Sequence, residues 1–202
     1  MISKHTTLAG VILAGGLARR MDNADKGLVI LNSKPLVSYV ISALNNVVDE
    51  LYISANRNVD TYKNFGYPVI KDQTQDFSGP LAGILSVMNR TRADVLLVAP
   101  CDSPLIKAEH LQKMLDTLTN KNLDVTVAFD GERLHPVFLA LKTSLKTSLA
   151  TYLEKGDRKV ESWLKQHPWA TTDLSDNAEI FTNINTYAEL ALLEEKIKHI
   201  VE

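Results

Sequence analysis

The chain has 202 residues, of which 45% are hydrophobic and 23% are charged, and its formal net charge is −2 at pH 7. This composition is typical of a globular protein and gives no general electrostatic footprint for nucleic acid, so we expect no nucleic-acid partner. Because no apolar stretch approaches the roughly 20 residues that span a bilayer, and the first residues lack the organisation of a signal peptide, we expect a cytoplasmic protein without a membrane partner.

Strand-like and helix-like segments alternate in the first half of the chain. Apolar runs of strand length lie at residues 10–14, 50–55, 68–71 and 94–100. Segments with helical periodicity lie between them, at residues 35–47, 58–65 and 80–91. Continuous apolar strands joined by helices are typical of a mostly parallel sheet with helices on both faces. The sequence therefore predicts a Rossmann-like, doubly wound α/β fold.

The second half of the chain departs from this simple alternation. Residues 124–141 have the pattern of two strands joined by a turn at Asp130-Gly131. Helical segments are predicted after Ser103-Pro104, at residues 144–155 and 158–166, and after residues 180–186. Since no repeat or long linker interrupts the chain, we predict a single domain over residues 1–202.

Two glycines and three cations follow the first predicted strand. Gly15-Gly16 indicates a tight turn or a close approach of the backbone to a ligand, although an ordinary strand-to-helix turn would also explain it. Arg19, Arg20 and Lys26 come next, and cations beside exposed backbone N–H groups favour the oxygens of a phosphate chain. The segment lacks the spacing of a P-loop and of a dinucleotide-binding turn, which argues against an ATPase of that type and a conventional dehydrogenase.

A carboxylate follows the most apolar predicted strand. Asp102, in the segment APCDSP, would lie at the carboxyl edge of the sheet, in the same crevice as Gly15-Gly16. A carboxylate beside bound phosphates is repulsive unless a cation lies between them, so Asp102 predicts a bound Mg²⁺. The alternative is that Asp102 caps the following turn. Cys101, the only cysteine, cannot form an internal disulfide and is a structural or site-lining thiol.

The third predicted strand also ends at a carboxylate, Asp72, and the next predicted helix begins between Gly79 and Gly83. Glycines at these positions would let the backbone approach a flat ring or a ribose, although a plain tight turn is an equally good interpretation. Three successive strand ends thus carry ligand-type residues or glycines. This repetition favours one binding crevice at the carboxyl edge of the sheet.

Weaker candidates lie in the second half of the chain. His135, beside Pro136, could act as a general base, but a histidine beside a strand start is more often a hydrogen-bonded structural residue. Asn183 and Asn185 could bind a polar ring or a phosphate, or could organise the turn before the last helix. We see no Ser-His-Asp or Cys-His arrangement.

A series of segments, in order and over nearly the whole chain, carries a family resemblance: LAGGLARRMDNADKGL, SANR, VIKD, GPLAG, PCDSP, GERLHP and TNINT. Together they closely resemble the molybdenum cofactor guanylyltransferases, a family of the GT-A-like nucleotidyltransferase superfamily. The first segment alone is typical of the wider superfamily, and the later segments narrow the resemblance. It implies a GTP-binding half at residues 1–105 and an acceptor-binding half at residues 106–202.

The resemblance implies transfer of GMP from Mg-GTP to the terminal phosphate of molybdenum-bound molybdopterin, with release of pyrophosphate. It implies that Arg20, Lys26 and Asp102 are catalytic and that Asp102 binds Mg²⁺. The implied GTP-binding residues are Leu13, Ala14, Gly15, Gly16, Lys26, Ser54, Asn56, Asp72, Gly79, Gly83 and Asp102. The implied residues on the pterin side are His135, Asn183 and Asn185. Other cofactor-biosynthesis proteins and target apoenzymes are implied as further partners.

Three other functions remain open at this point. Another nucleotidyltransferase would use CTP or a different acceptor such as a sugar phosphate, and pyrophosphate release with each nucleoside triphosphate would identify it. A non-catalytic nucleotide-binding regulator would hold GTP without turnover, and Asp102 argues against it. A plain interaction domain would bind no nucleotide.

Overall fold

The computed structural model of the chain describes residues 6–14, 17–18, 24–72, 79–182, 184 and 186–201. The strands are β1 (Leu8–Leu13), β2 (Leu17–Ala18), β3 (Ala24–Asp25), β4 (Ile30–Leu31), β5 (Lys34–Pro35), β6 (Glu50–Ser54), β7 (Val69–Ile70), β8 (Val95–Pro100), β9 (Val125–Phe129), β10 (Leu134–Lys142) and β11 (Trp169–Asp173). The helices are α1 (Leu36–Asn45), α2 (Val59–Lys63), α3 (Pro80–Met88), α4 (Ala108–Asn120), α5 (Lys146–Glu154), α6 (Val160–Leu164) and α7 (Tyr187–Val201). Short 3₁₀ turns lie at Lys26–Leu28, Thr143–Leu145 and Ser175–Phe181.

Within the described residues, the main sheet has seven strands in the order β11-β9-β10-β8-β1-β6-β7. Strand β10 is antiparallel to both of its neighbours, and the other pairs in this sheet are parallel. Two small antiparallel pairs, β2 with β3 and β4 with β5, lie outside it. The predicted α/β fold with a mostly parallel sheet is therefore confirmed.

The core lies on both faces of the sheet, as the alternation of side chains along a strand requires. In β8, Val95, Leu97 and Ala99 belong to one buried cluster, which includes residues of α1 and α4. Leu96 and Val98 belong to the other, which includes residues of α3, α5 and α6. All six residues of β8 are buried, which explains why this strand forms one continuous apolar run in the sequence.

The last helix packs against the first half of the chain. Leu190 and Leu193 of α7 share a small buried cluster with Leu31 and Leu36, near the β4–β5 hairpin. The backbone N–H of Asn32 in that hairpin donates to Glu194 Oε1 at 3.1 Å. The two predicted halves therefore share both the main sheet and this cluster. Among the described residues, none of the helices is both long enough and apolar enough to cross a membrane.

The hairpin predicted around Asp130-Gly131 is confirmed as β9 and β10, but one strand of the main sheet, β11, was missed, as were the two-residue strands β2 to β5 outside it. β11 runs parallel to β9 at the edge of the sheet, in a stretch where the hydrophobic pattern predicted no strand. Because most of its residues are only partly buried, the segment WATTD lacks the apolar run that marks a central strand. Helix α4 also begins later than predicted, at Ala108, because turns follow Ser103.

Candidate active site

A cavity of about 440 Å³ opens at the carboxyl edge of the main sheet. Its volume lies within the range of about 300–1,000 Å³ that is usual for small-molecule sites. The residues that line it follow or end β1, β6, β7 and β8, or begin α3, with one residue from the 3₁₀ turn after β3 and one from β10. They are Leu13, Ala14, Lys26, Ser54, Asn56, Asp72, Gly79, Pro80, Gly83, Pro100, Cys101, Asp102 and Val137. Every predicted GTP-binding residue that lies within the described part of the chain is among them.

An ion pair lies in the cavity wall. Lys26 Nζ is 3.1 Å from Asp102 Oδ2, and the two side chains are only 18% and 11% exposed. Lys26 begins the 3₁₀ turn that follows β3, whereas Asp102 lies two residues beyond the end of β8. The fold thus brings a cation and a carboxylate, 76 residues apart in the chain, to hydrogen-bond distance.

A second polar pair, formed by Asn56 and Asp72, lies after β6 and β7. Asn56 Nδ2 donates to Asp72 Oδ2 at 2.8 Å, and the backbone N–H of Asp72 donates to Asn56 Oδ1 at 2.8 Å. These reciprocal bonds fix the orientation of both side chains. Partial burial raises the pKa of Asp72 above its ordinary value, and the hydrogen bond from Asn56 partly opposes that rise.

Gly83 lets α3 pack closely against the ends of β1 and β6. A Cβ atom at this position would lie 2.5 Å from Ser54 Oγ and 3.2 Å from Leu13 Cδ2. Any larger residue would therefore require either Ser54 or the first turn of α3 to shift. Since Gly79 and Pro80 begin this helix and line the cavity, the close approach sets the shape of that wall.

Comparison with known proteins identifies the family. The sequence profile of the MobA-like NTP transferase domain matches residues 10–171. The chain is 44% identical over 191 residues to a molybdenum cofactor guanylyltransferase of Shewanella piezotolerans, covering 95% of this chain and 94% of that relative. It is 43% identical over 189 residues to one of Shewanella loihica, covering 94% and 96%. The chain belongs to the molybdenum cofactor guanylyltransferase family.

A solved structure agrees with this assignment at the level of the fold. The chain matches the molybdopterin-guanine dinucleotide biosynthesis protein A of Archaeoglobus fulgidus with a TM-score of 0.78 and 20% identity, covering 96% of this chain and 100% of that one. Membership of the guanylyltransferase family makes the chain a nucleotidyltransferase. It also confirms the resemblance carried by the motifs.

The carboxylate in this cavity suits a magnesium ion only if the ion is shared with a substrate. Mg²⁺ is usually bound through one or two carboxylates together with substrate phosphates and water, so a dedicated protein cage is not needed. Asp102 supplies one such carboxylate in the cavity wall. Within the residues that can be described, no group of three or more His, Cys, Asp and Glu side chains is placed to hold a metal. A metal at Asp102 would therefore depend on the nucleotide for its remaining ligands.

Cys101 lies beside this carboxylate but is a poor nucleophile. Burial raises the pKa of its thiol well above the ordinary value, and the negative charges of Asp102 and Asp25 raise it further. A thiol that stays protonated neither attacks nor binds metal readily. Because Cys101 is also buried in the cluster on the α1 and α4 face of the sheet, its contribution at the cavity is packing.

Several predicted site residues lie outside the described part of the chain: Gly15, Gly16, Arg20, Asn183 and Asn185. Their roles stay predictions. Arg19 and the other residues between Ala18 and Ala24 also lie outside the described part of the chain.

His135 lies within the described residues but does not line the cavity. Its Nε2 lies 2.6 Å from Asp130 Oδ2, and its ring stacks on Phe181 with a centroid distance of 3.8 Å. The backbone N–H groups of Glu132 and Arg133 also donate to Asp130, at Oδ1. These contacts favour the structural interpretation of His135, and its place on the pterin side stays a prediction.

Three cavity-lining residues were not predicted from the sequence as site residues. Pro80, Pro100 and Val137 line the cavity without a chemical signature of their own, although Pro80 and Pro100 lie inside quoted motifs. Val137 lies where the pairing of β10 with β9 shifts between His135 and Leu139, an irregularity that the hydrophobic pattern does not reveal.

Proposed function

We propose that this nucleotidyltransferase transfers GMP from Mg-GTP to the terminal phosphate of molybdenum-bound molybdopterin, forming molybdopterin guanine dinucleotide and pyrophosphate. One observation carries the proposal: a cation–carboxylate pair and an amide–carboxylate pair line the same cavity at the carboxyl edge of the sheet. The name of the Shewanella relatives, which match over nearly the whole chain, supports the choice of nucleotide and acceptor.

The Asn56–Asp72 pair supports guanine as the base. A carboxylate only accepts hydrogen bonds, and guanine presents two donors side by side, its N1–H and its 2-amino group. The side-chain amide of Asn56 donates a hydrogen bond to Oδ2 of Asp72 and so fixes the orientation of the carboxylate. Adenine and cytosine each present a ring nitrogen that accepts at the corresponding place, which would leave lone pairs facing the carboxylate. A site built around such groups rejects the wrong base because its polar atoms remain unpaired.

The Lys26–Asp102 pair supports a triphosphate at the other end of the cavity. Lys26 would bind phosphate oxygens, together with Gly15, Gly16 and Arg20. Asp102 would hold Mg²⁺, which supplies charge neutralisation and alignment of the phosphates when bound. Because Lys26 contacts Asp102 directly, the two residues present opposite charges to neighbouring points of the same ligand.

The chemistry needs no general base from the protein. The acceptor is a phosphate monoester, whose second pKa is about 6, so it is already a dianion near neutral pH. In-line attack on the α-phosphorus then depends on alignment and charge stabilisation, which Lys26, Arg20 and the Asp102 site would supply. This is consistent with the buried, hydrogen-bonded surroundings of His135.

The decisive experiment is incubation with Mg²⁺, molybdenum-bound molybdopterin and each nucleoside triphosphate in turn, with mass-spectrometric detection of the dinucleotide and assay of pyrophosphate. We expect both products with GTP and little of either with ATP or CTP. Turnover with CTP would make the enzyme a cytidylyltransferase, and pyrophosphate release with a sugar phosphate in place of the pterin would change the acceptor. Tight GTP binding without any product would indicate a regulator.

A further inference from the structure

The residue before Lys26 is a buried carboxylate, and its hydrogen bonds are not explained by the proposed reaction. Asp25 is 9% exposed. Its Oδ1 accepts from the hydroxyl of Tyr62 at 2.6 Å and from the backbone N–H of Gly27 at 3.3 Å. Its Oδ2 accepts from Asn58 Nδ2 at 3.0 Å. A buried carboxylate with three neutral donors is well satisfied, and removing any one donor would be costly.

These donors tie the segment around Lys26 to the core. Tyr62 is completely buried in the main cluster on the α1 and α4 face of the sheet. Asn58 precedes α2 with a left-handed backbone, at φ 48° and ψ 32°, a conformation that asparagine tolerates better than most residues. Asp25 therefore joins the start of the 3₁₀ turn at Lys26 to a helix more than thirty residues later in the chain.

The residue after Lys26 is fixed as well. A Cβ atom on Gly27 would lie 2.5 Å from Tyr62 Oη and 3.0 Å from both Cβ and Sγ of Cys101. The backbone at Gly27 is thus wedged between Tyr62 and the residue that precedes Asp102. Both chain neighbours of Lys26 are therefore held in place, Asp25 by hydrogen bonds and Gly27 by close packing. Gly27 packs against Cys101, the residue that precedes Asp102.

We infer that Asp25, held by Tyr62 and Asn58, is a positioning residue that fixes Lys26 against Asp102. The lysine side chain is long and flexible, so its ammonium group is defined only if its backbone is defined. The Asp25 contacts supply that constraint, and the 3.1 Å distance between Lys26 and Asp102 is their result. Displacement of a charged group by about 1 Å can lower a rate by roughly a hundredfold, so a support of this kind matters to the transfer step.

The inference rests on the proposed function for its kinetic readout, and a double-mutant cycle provides that readout. We expect Asp25→Asn and Tyr62→Phe each to lower kcat for GMP transfer by about tenfold, with KM for GTP changed by less than about threefold. In a Lys26→Ala background, the same substitutions should change kcat by less than about twofold, because the group they position is gone.

Tyr152→Phe is the matched control. Tyr152 is also buried, and its hydroxyl donates to the backbone carbonyl of Lys159 at 2.9 Å, so its loss removes a comparable bond away from Lys26. We expect a similar decrease in melting temperature and an unchanged kcat. If Asp25→Asn does not fold, Tyr62→Phe keeps the cycle complete, since it retains the buried ring. Equal losses of kcat in the wild-type and Lys26→Ala backgrounds would overturn the inference.

Crystal structures of the Asp25→Asn and Tyr62→Phe variants give a second readout that needs no turnover. We expect Lys26 Nζ to lie beyond hydrogen-bond distance from Asp102 in both. An unchanged distance of about 3.1 Å would contradict the positioning role whatever the kinetics show. If the wild-type enzyme transfers no GMP but the distance changes in the variants, the proposed function fails and the positioning role stands.

Discussion

The two ends of the cavity are built from similar side chains in different ways. At one end, Lys26 and Asp102 form a direct ion pair, anchored through Asp25 to a completely buried tyrosine. At the other end, Asn56 and Asp72 form an amide–carboxylate pair on the loops that follow the interior strand β6 and the two-residue edge strand β7. Where phosphate chemistry is proposed, the charge of the carboxylate is balanced by a lysine of the protein itself. Where base selection is proposed, the carboxylate is paired with a neutral amide.

Asp102→Asn should produce the largest effect and tests the end with the ion pair. The substitution keeps the size of the side chain but lowers the charge that would hold Mg²⁺. We expect a folded protein with turnover reduced by roughly a hundredfold or more, equivalent to about 2.7 kcal/mol of lost transition-state stabilisation. Binding of GTP without metal should be as tight as in the wild type or tighter, because one negative charge is gone.

Melting curves, turnover assays and a metal-free titration make the comparison. Asp116→Asn, on the exposed face of α4, controls for the loss of a carboxylate elsewhere, since Asp116 accepts a hydrogen bond from Gln112 of the same helix. Near-normal turnover of Asp102→Asn at limiting Mg²⁺ would exclude Asp102 as the metal ligand and leave it a turn-capping residue.

Lys26→Ala should have the next largest effect. We expect GTP binding to weaken by about tenfold, or about 1.4 kcal/mol, because a phosphate contact is lost. The free energy of unfolding should fall by roughly 1–3 kcal/mol, since Asp102, whose side chain is only 11% exposed, loses its cation. Calorimetry and denaturant melts measure the two effects. Lys63→Ala, which breaks an exposed pair with Asp60, should change neither by a comparable amount.

Asp72→Asn tests the end with the amide–carboxylate pair. We expect the wild type to prefer GTP over ATP by at least about tenfold, and the variant to lose most of that preference while keeping its affinity for the triphosphate. The introduced asparagine would offer an amide group where the carboxylate accepted, so the guanine donors would lose a partner. Calorimetric titration with both nucleotides gives the ratio. An unchanged ratio in the variant would remove Asp72 from base recognition.

The position of both carboxylates at one edge of the sheet could be predicted from the sequence, because each carboxylate follows a strand. Asp102 and Asp72 follow apolar runs, and the carboxyl ends of parallel strands meet at one edge. The strands β1, β6 and β8 were found for the same reason. β11 was not, since an edge strand buries too little to show an apolar run.

The support behind Lys26 could not be predicted from the sequence. Tyr62 lies in a short helix 37 residues after Asp25, and nothing in its local pattern distinguishes it from an ordinary core aromatic. The same holds for Val137, which lines the cavity at a point where the register of β10 against β9 shifts. Motifs mark the side chains that face a ligand, whereas the contacts that hold those side chains depend on tertiary packing.

The smallest expected effect concerns stability and pH at Asp72. Burial raises the pKa of this carboxyl in the folded protein above its ordinary value. A group with a raised folded pKa contributes stability that is fully present below the unfolded pKa and is lost as the pH rises through the folded pKa. Ionised Asp72 is therefore a cost at pH 7, and we expect Asp72→Asn to be as stable as the wild type or more stable, by less than about 1 kcal/mol.

The pH dependence of that difference separates Asp72 from the other acids. At Asp130, hydrogen bonds from the backbone of Arg133, from His135 and from the backbone of Glu132 hold the pKa well below its usual range, so its contribution to stability is lost as the pH falls. Wild type and Asp72→Asn share that loss, and subtraction of their unfolding free energies removes it. Urea melts of both proteins at pH 7 and near pH 4 should therefore show an advantage of the variant that shrinks on acidification, as Asp72 in the wild type becomes protonated. An advantage that grows on acidification would mean that the ionised carboxylate stabilises the fold, and the contrast between the two ends of the cavity would not hold.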